Sequence, residues 1–396
     1  MTGIASITGM PCRLVGGAVA LALAWATPAS SQETIKIGVV GPFTGPFATT
    51  AEGFKQGIES YLAIHGNMVG KTKIEVVYRD STGNPTSAKA LAEELIVKDK
   101  VSVLGGFMFT PEVIATVPIV SEAKIPLLMF NSSTPNLVQM SPYFVRMGSH
   151  LNMPVELGAT YGRENGKSRG YSAVADYSPG VIVEEGFAAK WSALGGTIVG
   201  KDRIPLNTVD FAPFAERVFL ANPDFLEVFI PPGAPAVGYI KALAARGMTQ
   251  KVMIVGQGEA DDNDLHLFDD SVINFYSVLN LSLAVDNSEM NALKKTLREK
   301  FGPTVAPTVF AIGAYDAIRV ASRMVASMEG KPFDGPAAMK SILGYSYDSP
   351  RGKVTIDATT RETIQNYYLR RVEKRDGKLQ TVVVKTFENV SPPGPK

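Results

Sequence analysis

Cysteine is almost missing from this 396-residue chain: Cys12 is the single one. It lies in an N-terminal segment that reads as a cleaved leader. The mature chain is therefore expected to hold no disulfide, thiol nucleophile or cysteine metal site. Histidine is scarce too: His65, His150 and His266 are far apart and none stands at a metal-ligand spacing, so all three read as structural or surface groups. Neither sign of charge is in excess, with 39 Lys and Arg against 38 Asp and Glu. A neutral chain without a basic run argues against a nucleic-acid partner. The apolar run over residues 14–26 is shorter than the ~20 residues that a bilayer span needs, and nothing beyond it comes closer.

What is present begins with that run. Residues 1–31 carry one charge, Arg13, then the apolar stretch, then Thr27-Pro28-Ala29-Ser30-Ser31. Basic, apolar and small in that order is a secretory signal, cleaved near Ala29 or Ser31. The destination expected is the periplasm. About 365 residues remain, enough for two domains.

Short β-branched runs alternate with amphipathic stretches along the rest. Strands are predicted at 35–40, 73–78, 101–104 and 126–130, with helices around Phe54, Ile58, Tyr61 and Leu62, after Asn84-Pro85, and over 112–123. The alternation restarts after Met147. Strands are predicted at 170–175, 197–203, 225–230 and 251–255, and helices at 180–194, 211–221 and 234–247. Helices at 288–301 and 308–328 follow, and Asp376-Gly377 joins two tail strands, 367–372 and 381–385, as a hairpin. Strands apolar on both faces and separated by helices indicate an α/β fold of two lobes, each with a parallel sheet. In such sheets ligands bind at the carboxyl ends of the strands.

Catalytic patterns fail on context. Gly166-Lys167-Ser168-Arg169-Gly170 fits a hydrolase nucleophile motif, but that motif needs a strand before the serine and a helix after it, and here the order is reversed. Asp261-Asp262-Asn263-Asp264 lacks the glycine and distal glutamate of a calcium loop and reads as helix-capping carboxylates. No cofactor is expected, and the chain reads as a binding protein, not an enzyme.

Several segments carry a family likeness. The run Ile35-Lys36-Ile37-Gly38-Val39-Val40-Gly41-Pro42-Phe43-Thr44-Gly45-Pro46 closely resembles the opening strand and loop of type I periplasmic solute-binding proteins. These serve ABC importers of branched-chain amino acids, amides and aromatic acids. Arg79-Asp80-Ser81-Thr82-Gly83-Asn84-Pro85, Asn131-Ser132-Ser133-Thr134-Pro135, Ala175-Asp176-Tyr177-Ser178-Pro179-Gly180 and Ser349-Pro350-Arg351-Gly352-Lys353-Val354 are similar to later family segments, in the same order. The likeness runs over about residues 33–390.

The resemblance implies two Rossmann-like lobes, a Venus flytrap with three crossings near 147–149, 278–281 and 344–347. Lobe one would comprise 32–147 and 281–345, lobe two 148–280 and 346–390, with 391–396 a tail. It implies a monomer that hands a small molecule to an ABC permease. By position the ligand would meet Phe43, Phe47, Thr49, Phe109, Thr110, Asn131, Ser132 and Ser133 from lobe one. Tyr177, Pro179, Gly233 and Glu259 would come from lobe two. Thr110 and Ser133, at helix N-termini, suit a carboxylate. Glu259 could hold an ammonium, as acidic residues do in amino-acid-binding relatives. Phe43, Phe47, Phe107, Phe109 and Tyr177 shift the expectation towards an aromatic or apolar acid, with a branched-chain amino acid or amide as the alternative within the family. A receptor's sensing lobe and an exported hydrolase acting through Ser168 are the more distant readings.

Overall fold

β-branched residues alternate with one-sided apolar helices, so each strand must be covered on both faces and each helix on one. The computed structural model describes residues 1–6, 8–10, 33–45 and 47–393. From residue 11 on, the expected leader lies outside these described residues. Met1–Gln32 form one unit and Glu33–Lys396 another, and the architecture below belongs to the second.

The first half runs β1 (Thr34–Gly41), α1 (Ala48–His65), β2 (Met68–Val69), β3 (Thr72–Asp80), α2 (Pro85–Val97), β4 (Val103–Gly106), α3 (Thr110–Ala123), β5 (Leu127–Met129) and β6 (Phe144–Arg146). They form a six-stranded sheet in the order β2-β3-β1-β4-β5-β6, parallel except for β2 on β3. Alternation along β1 decides its neighbours: Ile37 and Val39 enter one core and Val40 the other.

The second half runs α4 (Asn152–Glu164), β7 (Arg169–Ala175), α5 (Ser178–Ala193), β8 (Thr197–Ile204), α6 (Ala212–Ala221), β9 (Phe225–Phe229), α7 (Ala234–Ala244), α8 (Met248–Lys251), β10 (Met253–Gly256) and β11 (Tyr276–Leu279). Then come α9 (Ser288–Phe301), α10 (Val309–Ala326), α11 (Gly335–Ile342), β12 (Ser346–Ser349), β13 (Gly352–Ile356), β14 (Thr363–Arg375) and β15 (Lys378–Val390). Strands β8, β7, β9, β10 and β11 pair in parallel, and antiparallel β14 and β15 extend them. Asp376 and Gly377, both at positive φ (50° and 76°), turn β14 into β15 as expected of this pair.

The chain returns to cover the first sheet. α10 lies on α1 so closely that a Cβ on Gly57 would stand 1.9 Å from the Ala311 carbonyl oxygen. At the expected lobe boundary the pairing and the packing divide: β12 pairs β13 and β13 pairs the start of β14, in the sheet of β11, while their apolar side chains face the first core. Tyr347, Val354 and Ile356, expected in lobe two, are buried in the first core with Ile318 and Met339. Apolar residues at alternate positions of β12 and β13 need a hydrophobic layer, and the one they meet belongs to the first sheet. The third passage thus falls at Thr363–Gln365, after which Tyr367 and Leu369 enter the second core.

The acidic run does not cap a helix as expected: Asp264, at the N-cap of the short turn Leu265–Leu267, makes no side-chain cap bond. Asp261 accepts from buried Arg370 at 2.8 Å, and Asp262 accepts from the Thr381 hydroxyl at 2.8 Å. A fully buried guanidinium needs carboxylate partners. Ser168 sits in the turn before β7, bonded to Asp224.

Candidate ligand-binding cleft

Parallel strands deliver their carboxyl ends to one edge, so the loops after β1, β3, β4 and β5 lie together. Their ties are specific. Asp80 accepts from the Phe43 and Thr82 amides, both at 2.9 Å, and from the Thr44 hydroxyl at 2.5 Å. Burial opposes its ionisation, but these donors outweigh it and hold the carboxyl below its ordinary range. Buried Glu112 accepts from the Ser81 hydroxyl at 2.5 Å and the Phe109 amide at 3.0 Å, which fixes the entry to α3.

At that entry the Thr110 and Thr134 hydroxyls meet at 2.6 Å. The 131–134 loop is held from beneath. The Asn131 amide donates to the Met108 carbonyl at 3.0 Å and the Ser132 hydroxyl to the Phe107 carbonyl at 3.1 Å. Arg146, fully buried and paired with Glu362 at 2.6 Å, donates to the Ser132 and Thr134 carbonyls. The Ser133 carbonyl accepts from the Leu151 amide at 2.9 Å, where the chain enters the second half.

The aromatic candidates divide. Phe47, 46% exposed, packs edge-on against Phe109 at 4.8 Å between centroids. Phe43 turns into the first core, edge-on to Tyr78 at 5.8 Å and beneath the Lys55 ammonium. Phe107 is fully buried in the α2–α3 layer. Thr49 is exposed in the first turn of α1.

On the second sheet, Tyr177 precedes α5, Pro179 lies in its first turn and Gly233 precedes α7. Tyr177 lies parallel to Phe229, with ring centroids 6.1 Å apart and planes 7° apart. Phe229 was not singled out from sequence, because a phenylalanine ending a strand reads as core. Glu259 is buried, and its oxygens accept from the Ile230 amide at 3.0 Å and the Gln257 amide at 2.6 Å. Burial raises its pKa to about 7 against those donors. The same carboxylate, after burial, helps push the Tyr177 phenol up to about 12. Glu227 on β9 is pushed well up by burial and by Glu259. Among the described residues no cluster of three or more His, Cys, Asp or Glu could hold a metal ion, and no helix is long and apolar enough to cross a membrane.

Residues 34–378 match the profile described as Periplasmic binding protein. The chain belongs to that family. The family is one of solute-binding proteins, not of enzymes, and this chain is an ABC-type solute-binding protein of the branched-chain amino acid and aromatic acid group. Over 375 residues it is 34% identical to Leu/Ile/Val-binding protein homolog 6 of Brucella melitensis, covering 94% of this chain and 96% of that one. Its fold matches a solute-binding protein of an ABC transporter from Rhodopseudomonas palustris HaA2, solved with p-hydroxybenzoic acid, at 35% identity and a TM-score of 0.84. That match covers 90% of this chain and 98% of the other. A counterpart from R. palustris BisB5, solved with 3,4-dihydroxybenzoic acid, matches at 32% identity and a TM-score of 0.83, covering 91% and 99%.

Proposed function

We propose that this periplasmic protein captures a small aromatic carboxylate between its two sheets and delivers it, as a monomer, to an ABC permease. The observation that carries this reading is the contrast between the two sides. The first sheet offers the start of α3 with the Thr110–Thr134 hydroxyl pair, where a helix dipole favours an anion. The second offers the parallel Tyr177 and Phe229 rings beside two buried carboxyl groups, Glu227 and Glu259, which disfavour an anion. The ligand's carboxylate therefore belongs at Thr110, Ser133 and Thr134, and its ring against Tyr177 and Phe229. Both oxygens of Glu259 are engaged by backbone amides, so it is a poor counter-ion for an amino-acid ammonium. The hydroxybenzoates held by the two Rhodopseudomonas relatives support the same chemistry.

Calorimetric titration with benzoate, 4-hydroxybenzoate and leucine tests this. The aromatic acids are expected to bind and leucine not to. Tyr177→Ala should weaken aromatic binding by about tenfold, the scale of one lost ring contact and its buried area. Tight leucine binding, abolished by Glu259→Ala, would sink the reading.

A further inference from the structure

Three passages of chain join the two sheets, and one side chain touches all of them. The first passage is residues 147–149, leaving β6 for α4. The second follows β11 at Asn280, between Val278 in the second core and Leu281 in the first. The third is Thr363–Gln365 at the start of β14. The Gln365 amide, 1% exposed, donates to the Gly148 carbonyl at 3.1 Å and to the Thr363 hydroxyl at 3.1 Å. Its oxygen accepts from the Asn280 amide at 3.0 Å. Thr363 repeats the bond to Gly148 at 3.2 Å. Tyr367, one strand period further on, meets the Ser149 hydroxyl at 3.0 Å.

From this we infer that Gln365 is the pivot of the protein, a positioning residue that binds the three crossings into one unit about which the sheets close on ligand. The inference rests on reading the cleft as a closing ligand site. A buried polar group that sits on one segment and bonds to two others fixes the three relative to one another, because separating any of them strands a desolvated donor or acceptor. Bending is thereby confined to the residues flanking the bonded triad, and the two halves turn about an axis through it. An apolar side chain of similar volume fills the space without tying the crossings, so the halves sample a wider range of openings and the closed state releases ligand sooner.

The test uses spin labels at Glu93→Cys on α2 and Glu185→Cys on α5 in the full chain carrying Cys12→Ser. The distance distribution is measured with and without 4-hydroxybenzoate, and ligand dissociation by stopped flow. Gln365→Leu is expected to broaden the ligand-free distribution and speed dissociation about fivefold, with association little changed, as for the loss of roughly one net hydrogen bond from the closed state. Asn280→Ala should act in the same direction, and the double variant should be less than additive because both remove one tie. If Gln365→Leu does not fold, Asn280→Ala is read alone. An unchanged ligand-free distribution and dissociation rate in a folded variant would overturn the pivot. A wild-type distance that no aromatic acid alters would instead overturn the capture reading, while the width of the ligand-free distribution still judges the pivot.

Discussion

Replacing Arg351 with methionine is expected to cost about 3–5 kcal/mol of stability, the scale for stranding one member of a buried ion pair. Arg351 is 1% exposed and Asp316 fully buried, and they pair at 2.8 Å. The same guanidinium donates to the Met147 carbonyl at 2.7 Å, at the first crossing. Without it, Asp316 keeps the Ser349 hydroxyl at 2.9 Å as its partner, too little for a carboxylate that burial already pushes towards protonation. The double variant Arg351→Met with Asp316→Leu should recover most of the loss, because both charges are then gone and the volume is refilled. Urea unfolding of the two variants and the wild type decides it. A single-variant loss below about 1 kcal/mol would mean the pair is better solvated than its burial implies.

The second large effect is acid sensitivity set by His150. This residue is buried at the first crossing, and burial, aided by Arg146, lowers its pKa to about 3. Unfolded, it titrates near its ordinary 6.5. Between these values the unfolded chain binds the extra proton, so stability falls as pH drops from 6.5 to 3, by up to about 4–5 kcal/mol. Glu259 works the other way: its folded pKa of about 7 exceeds the unfolded 4.5, so its contribution is complete below 4.5 and lost as pH rises to 7. The two slopes oppose each other between 4.5 and 6.5, and below 4.5 the carboxylates held low, such as Asp80 and Glu184, add their loss to that of His150. Subtracting the His150→Gln unfolding curve from the wild type's, at a series of pH values, should give a line rising from pH 3 to 6.5 and flat above. A flat difference throughout would show that His150 is not held neutral.

The alternation of β-branched runs with one-sided helices was enough to place both sheets, because each element's periodicity is local. The carboxyl-end rule, with the family likeness, proposes the loops at Thr110, Asn131–Thr134, Tyr177 and Glu259 as ligand contacts, and the fold sets those loops after strands. What failed to show was contact between distant residues. Phe43 reads as a cleft aromatic, and nothing local shows that Tyr78, 35 positions on, receives its ring edge-on. Asp261 and Asp262 read as caps because Arg370 lies more than a hundred residues away. Ser346–Ser349 and Gly352–Ile356 carry the alternation of any half-buried strand, which does not say which of two cores will bury them. Gln365 and Asn280 are polar residues beside apolar runs and give no sign in the sequence that they meet.

The return of the chain to its first sheet constrains the order in which the molecule can be assembled. The layer over α1 is supplied by α9 and α10, with α11 packed on α10, residues 288–342, and the second sheet is extended by β14 and β15, residues 363–390. Neither half can exclude water from its core while the last quarter of the polypeptide is unmade. Contacts this remote in sequence slow folding. Nascent chains shortened before residue 288 should therefore stay open to protease in both halves, and those ending between 343 and 362 in the second half, so that the C-terminal quarter governs when the protein matures as well as what it becomes.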